Sequence, residues 1–289
     1  MTSIENEYLK ITIKNTGAEL SSLYNKKSNT ELLWQGDATF WSGQAPILFP
    51  IVGGLKENTH IHNNTKYQLN RHGFARRSKD WKIEQKNKSC IQCTLTANEA
   101  TLNVYPFDFT LVVTYTINKN NLSIEHNVTN NGKKTMPFSV GAHPAFNCLS
   151  DAGSTYNDYS LKFETTEIAH RHFINKDGLF NDQTELTLNN TDTLQLSEDL
   201  FNNDALVFKN LKSKKVSLFK ASKKILSLSF KDFPFLGIWA APKAPFVCIE
   251  PWIGHADHID TNQDLFSKEG SKSLASNETF SVAYQITTA

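Results

Sequence analysis

The feature that most constrains this chain is a strict period of two in its apolar residues. In FDFTLVVTYTIN, the set Phe107, Phe109, Leu111, Val113, Tyr115 and Ile117 recurs at every second position. Such alternation turns one face of a strand to a core and the other toward water. After an Asn-rich turn at 118–121, Leu122, Ile124, His126 and Val128 keep the same period, so the two runs read as a hairpin. YLKITIKN, LSLSF and FSVAYQITT carry the same signature. No segment sustains a helical apolar stripe for more than a turn or two.

The pattern predicts an all-β chain of antiparallel strands. With 289 residues, 39% of them apolar and 19 of them Phe, it has the material for one large packed domain. No linker rich in Pro, Gly or Ser divides it, and no fixed repeat runs through it. The expectation is a single domain over 1–289, a large sandwich whose concave face lines a cleft.

The charge balance, 30 basic against 29 acidic residues, creates no long-range field for nucleic acid or an anionic membrane. MTSIENEYLKITIKN has neither a basic leader nor an apolar core of the signal-peptide kind. No apolar run reaches the roughly eighteen residues of a membrane span. A cytoplasmic location is expected, with Cys90, Cys93, Cys148 and Cys248 as reduced thiols. Cys90 and Cys93 form a C-x-x-C, but in a strand-like run their side chains point to opposite faces, which argues against a metal or redox pair.

Several segments break the alternation. NRHGFARR holds Arg71, Arg76 and Arg77, three of the four arginines in a chain with 26 lysines. A local demand for guanidinium suggests planar, multidentate hydrogen bonding. In an extended conformation His72, Phe74 and Arg76 would share one face and Arg71 the other. A surface salt-bridge cluster beside a half-buried histidine fits the same residues. In VGAHPAFN, the proline after His143 disfavours the α region and fixes the ring relative to the sheet. Alone, His143 reads equally as a core histidine or an acid. VCIEPWIG embeds Glu250 in an apolar run, where lost hydration raises a carboxyl pKa and makes a better base near neutrality. Trp252 shares its face and offers a platform to a sugar ring; an ion-paired Glu at a strand end is the plainer reading. Asp204, ahead of ALVF, reads by itself as an ordinary turn residue.

Taken together, APILFPIVG, RHGFAR, GAHPAF, the region of Asp204 and FVCIEPWIG resemble, in order and spacing, the aldose 1-epimerase (galactose mutarotase) family in its bacterial LacX-like branch. The resemblance implies a β-supersandwich fold, no cofactor and no metal. It implies a catalytic base at Glu250, a catalytic acid at His143, and sugar-holding roles for His72 and Asp204. Arg76 and Trp252 join them as candidate substrate-binding residues. The family usually has an arginine where this chain has Gly54, which weakens the case for a phosphorylated sugar; Lys56 and Arg76 are the candidates to compensate.

The expected activity is interconversion of the α and β anomers of a free hexose. A hexose-6-phosphate 1-epimerase, a non-catalytic carbohydrate-binding protein, and a glycoside hydrolase pairing Glu250 with Asp204 or Asp257 are the alternatives. The expected partner is a small sugar, not nucleic acid or membrane, in a monomer or homodimer.

Overall fold

The computed structural model describes residues 1–148 and 155–289. The period-two runs form the hairpin that burial of their apolar faces requires. Phe109–Asn118 and Asn121–Asn130 pair antiparallel, with Phe109 opposite Asn130 and Asn118 opposite Asn121. Leu111, Val113, Tyr115, Ile117, Leu122, Ile124, His126 and Val128 are at most 3% exposed. Each large apolar side chain withdrawn from water contributes ~1.5–3 kcal/mol, and the intervening Val112, Thr114 and Thr116 stay partly wet.

This hairpin belongs to a fifteen-stranded sheet in which the pairings between strands are antiparallel. From one edge the order begins Ile47–Leu48, Val140–Ala142, Phe246–Ile253, Phe235–Trp239, Leu206–Lys209 and Tyr159–Ile174. It ends with Phe109–Asn118, Cys90–Thr96 and Lys82–Asn87. A four-stranded sheet from the first 31 residues forms a separate ladder that shares the main core, and there are two two-stranded ribbons. Among the described residues the α-helix content is the four-residue turn Glu99–Leu102, capped by Asn98. No helix there is long and apolar enough to cross a membrane.

The main hydrophobic cluster draws on residues from Ile4 to Ile286. A smaller one gathers Leu48, Val52, Ile174, Phe180, Val207, Phe235 and Trp252. Alternate residues of Leu206–Lys209 serve both, Val207 the smaller and Leu206 and Phe208 the larger. Cys90 is partly exposed and Cys93 buried, the two-faced placement their strand predicts.

Candidate active site

The strand Phe246–Ile253 is buried along its whole length. Its neighbour is broken: Val140–Ala142 pairs with it through Gly141 opposite Trp252, and Ala145–Asn147 through Ala145 opposite Cys248. The two pieces keep one register across the gap, which sets His143 opposite Glu250. Pro144 has no N–H to continue a ladder, but its carbonyl accepts from the Ile249 N–H at 3.1 Å and holds the gap closed. As a result His143 Nε2 stands 3.2 Å from Glu250 Oε2, with the two residues 7% and 1% exposed. At that distance the two groups are in contact without the geometry of a formed hydrogen bond.

Burial pushes the Glu250 carboxyl well above the usual carboxylate range; Asp204 adds to this, while Arg71, Trp252 and Arg76 oppose it. Burial pulls His143 down to about 3, helped by the positive charges of Arg76 and Arg71. Both shifts disfavour charge, so the pair is a carboxylic acid beside a neutral imidazole.

Glu250 and His143 open onto a cavity of about 510 Å³ also walled by Trp41, His72, Arg71, Arg76, Asp204 and Trp252. Trp252 follows Glu250 on the same face. A Cβ at Gly237 would lie 2.5 Å from its ring, and one at Gly141 would lie 2.8 Å from it, so the indole occupies space that only glycines leave. Its N–H is directed at the Glu250 carboxyl and favours the charged form of that group. Trp41 stacks on His143 with ring centroids 4.8 Å apart, and Trp239 meets His143 edge-on at 5.8 Å. Neither tryptophan was among the sequence candidates. Trp41 sits beside Gly43 in a loop with no periodic signal, and Trp239 looks like any strand aromatic.

NRHGFARR is not extended. His72 and Gly73 take left-handed backbone angles (φ 66° and 69°), and Ala75–Arg77 forms a short 3-10 turn. The expectation that Arg71 faces away from His72 and Arg76 is therefore wrong: all three line the cavity. His72 is buried, and its Nδ1 accepts the Gly53 N–H at 3.1 Å. Burial holds its pKa well below the usual value, with His143, Arg71, Arg76 and Arg77 acting in the same sense.

Asp204 precedes the strand Leu206–Lys209 as expected, in a left-handed conformation (φ 66°), and its Oδ1 accepts the Ala205 N–H at 2.7 Å. His72 and Asp204 both sit at positive φ, which Asp and His reach more readily than most residues, and both line the cavity. Lys56 is not among the residues that wall the cavity, and its Nζ donates to the Ile259 carbonyl at 2.9 Å. Asp257 is committed to a buried ion pair with Lys268 at 2.7 Å, which leaves it unfit as a second hydrolytic carboxylate. Cys248 Sγ lies with ligand atoms of His143 and Glu250 inside a 4.8 Å span. Its thiol belongs to the core cluster rather than the cavity wall, and burial, then Glu250, push its pKa well up.

Comparison with known proteins agrees with this architecture. The sequence matches the family described as Aldose 1-epimerase over residues 1–287. The chain belongs to that family. Within it, the plasmid-encoded protein LacX of Lactococcus lactis subsp. lactis is 36% identical over 295 aligned positions, covering 98% of both chains. The crystal structure of a galactose mutarotase related enzyme from Lactobacillus acidophilus superposes with a TM-score of 0.94 at 35% identity, covering 100% of this chain and 97% of that one. A galactose mutarotase-like protein from Lactobacillus casei gives 0.93 at 34% identity, with full coverage of both chains.

Proposed function

We propose that this chain is a mutarotase that interconverts the anomers of a hexose-sized aldose, with Glu250 and His143 moving the protons. The observation that carries the reading is the 3.2 Å approach of His143 Nε2 to Glu250 Oε2 on the wall of a cavity of about 510 Å³. That volume is within the range of small-molecule sites.

Mutarotation opens the pyranose ring, turns the aldehyde about C1–C2 and closes the ring on its other face. Opening removes a proton from the C1 hydroxyl and adds one to the ring oxygen. The free pair holds one proton. Its tautomer with a carboxylate at Glu250 and an imidazolium at His143 is the form that can make both transfers. Glu250 takes the hydroxyl proton and His143 gives its own to the ring oxygen. The pair ends as acid and neutral imidazole, with its proton count unchanged. Closure runs the same transfers backward on the other face of the aldehyde. Positioned acid–base groups contribute on the order of 10²–10⁴-fold each.

His72, Asp204, Arg76 and Trp252 orient the sugar in this reading. A misplacement of ~1 Å costs on the order of 10²-fold. The test is optical rotation of freshly dissolved pure anomers across a panel of aldoses and their phosphates, with and without protein. Acceleration over the spontaneous rate supports the activity. Binding without acceleration of any of them removes it and leaves a carbohydrate-binding protein.

A further inference from the structure

Three side chains with metal-binding atoms meet behind the cavity wall. A ring nitrogen of His143, Sγ of Cys248 and a carboxyl oxygen of Glu250 all lie within 4.8 Å of one another. Among the described residues no other trio of His, Cys, Asp or Glu gathers its donor atoms so closely. The three residues are 7%, 0% and 1% exposed. Anomer exchange uses two of them and leaves the thiol without a part.

The sheet brings the three together. Cys248 and Glu250 are two positions apart on one strand, so their side chains leave the same face. His143 comes from the break in the neighbouring strand, opposite Glu250. Cys248 pairs with Ala145 on one side and Trp239 on the other. Its sulfur stands behind the acid–base pair, since His143 and Glu250 line the cavity and Cys248 does not.

The spacing suits a tetrahedral ion. Zinc bonds of ~2.0 Å to nitrogen and oxygen and ~2.3 Å to sulfur set the bound atoms ~3.3–3.6 Å apart. His143 Nε2 and Glu250 Oε2 already stand at 3.2 Å. From its limit of 4.8 Å the sulfur closes by at most ~1.3 Å, a shift within the range of a Cys χ1 rotation.

The charges suit it as well. Burial favours the protonated Glu250 carboxyl, the protonated Cys248 thiol and the neutral His143 ring. A divalent ion displaces the thiol and carboxyl protons, so two positive charges arrive and two depart. The neutral imidazole offers its lone pair directly. One oxygen of the carboxylate can keep the Trp252 N–H while the other binds the ion. Arg71 and Arg76 on the same wall repel a cation, and the thiolate and carboxylate answer them by neutralising the ion where it sits. Sulfur, nitrogen and oxygen in one set select zinc-like ions over Mg²⁺ or Ca²⁺.

We propose that His143, Cys248 and Glu250 form a site for a thiophilic divalent ion of the zinc class, and that filling it stops anomer exchange. The ion takes the lone pair of His143 and the carboxylate of Glu250, so neither can move a proton. Three protein ligands leave one of four positions open toward the cavity. The site stands on the geometry alone, while the loss of exchange rests on the mutarotase reading.

Co²⁺ is the probe, because its bonds to thiolate absorb in the near ultraviolet and its tetrahedral complexes absorb strongly in the visible. Wild type, Cys248→Ser, Cys248→Ala and Cys148→Ser are titrated with Co²⁺, which Zn²⁺ then displaces, with Mg²⁺ as the control. Exchange of galactose and glucose anomers is read in parallel by magnetisation-transfer NMR, each protein against its own metal-free rate. The expected result is one tetrahedral, thiolate-bound Co²⁺ per chain in wild type and Cys148→Ser, displaced by Zn²⁺ and indifferent to Mg²⁺. Both Cys248 variants lose the thiolate band and bind Zn²⁺ on the order of 10²-fold more weakly, since partners one shell behind a ligand already matter by about 10- to 100-fold. Saturating Zn²⁺ lowers wild-type exchange by ~10²-fold or more, the share of one acid–base group.

A wild-type spectrum without the thiolate band overturns the site, and that reading needs no variant to fold. A band that the Cys248 variants keep also overturns it. A filled site with undiminished exchange overturns the inhibition and leaves the mutarotase reading standing. Should wild type accelerate no sugar even without metal, the mutarotase reading and the inhibition fall together, and the cobalt spectrum alone judges the site.

Discussion

The indole of Trp41 lies against the imidazole of His143, with ring centroids 4.8 Å apart and planes inclined by 27°. Three contacts fix it there. The Trp41 carbonyl accepts from Trp34 Nε1 at 2.8 Å. Gly43 leaves room for the ring, since a Cβ there would stand 2.4 Å from it. Glu19, buried below, accepts the Gln44 and Ala45 N–H groups at 2.7 and 2.9 Å and anchors the loop that follows. The negative face of an indole favours positive charge on a ring stacked over it. Burial opposes the imidazolium that ring opening requires, and the Trp41 face partly offsets that penalty.

Trp41→Leu is therefore expected to lower kcat by roughly 2- to 30-fold, matching a loss of about 0.5–2 kcal/mol of cation–π stabilisation. Steady-state exchange rates at saturating sugar measure it. A raised KM at unchanged kcat would make Trp41 a platform for the sugar and not a support for His143.

Glu250→Gln and His143→Asn should each reduce anomer exchange on the order of 10²–10⁴-fold and leave sugar affinity within a few-fold. With His143 pulled down to about 3 and Glu250 pushed up, the pair keeps its single proton across the neutral range. Activity should stay flat through neutrality, fall in acid as the pair gains a second proton, and fall in alkali as it loses the first. A limb centred on the ordinary imidazole value of 6.5 would contradict this, since it would identify a solvated histidine as the acid.

What could be read in advance follows from the range of each physical cause. Period-two burial is local, so the hairpin was legible in the alternation, although its first strand starts at Phe109 rather than Phe107 and Asn118 and Asn121 are paired rather than in the turn. The apolar run around Glu250 and the proline after His143 are also local, and they pointed to both groups. The roles of Asp204 and His72 came from the family resemblance, because neither residue has a telling neighbourhood in the chain. Arg71 was misplaced because alternation assumes extended backbone, and two consecutive left-handed residues at His72 and Gly73 turn the chain there. Trp41 was invisible because its partner His143 is distant in sequence, and only the assembled sheet brings the loop over the ring.

A separate prediction concerns stability. His126 is fully buried beside Tyr284, and neither ring nitrogen has a hydrogen-bond partner among the described residues. Burial lowers its pKa from 6.5 to about 4. The unfolded chain therefore binds the proton more readily, and stability is lost as pH falls from the unfolded value toward the folded one. The loss attributable to this ring is about 3 kcal/mol once both values have been passed. His126→Phe keeps the aromatic contact and removes the titration. Urea unfolding at pH near 7 and near 4 should show a smaller acid penalty in the variant by about that amount. Parallel losses in both proteins would place the acid sensitivity elsewhere.

The bed of Trp252 allows a sharper test of packing against function. Adding a methyl at Gly237 would put a carbon 2.5 Å from the indole, and the strand Phe235–Trp239 is paired on both sides and has nowhere to retreat. The ring must move instead. Overpacking of this kind costs ~1–3 kcal/mol, a fall in Tm of several degrees in a chain of this size. A displaced indole also reshapes the cavity wall beside Glu250, so Gly237→Ala should weaken sugar binding as well as stability. Trp252→Phe in the same chain removes the ring atoms that clash. The double variant should recover most of the lost Tm without recovering sugar affinity, a coupling that two independent sites would not produce. Calorimetric melting and sugar titration of the two single variants and the double one read both quantities. Additive losses in Tm would mean that Gly237 is glycine for some reason other than Trp252.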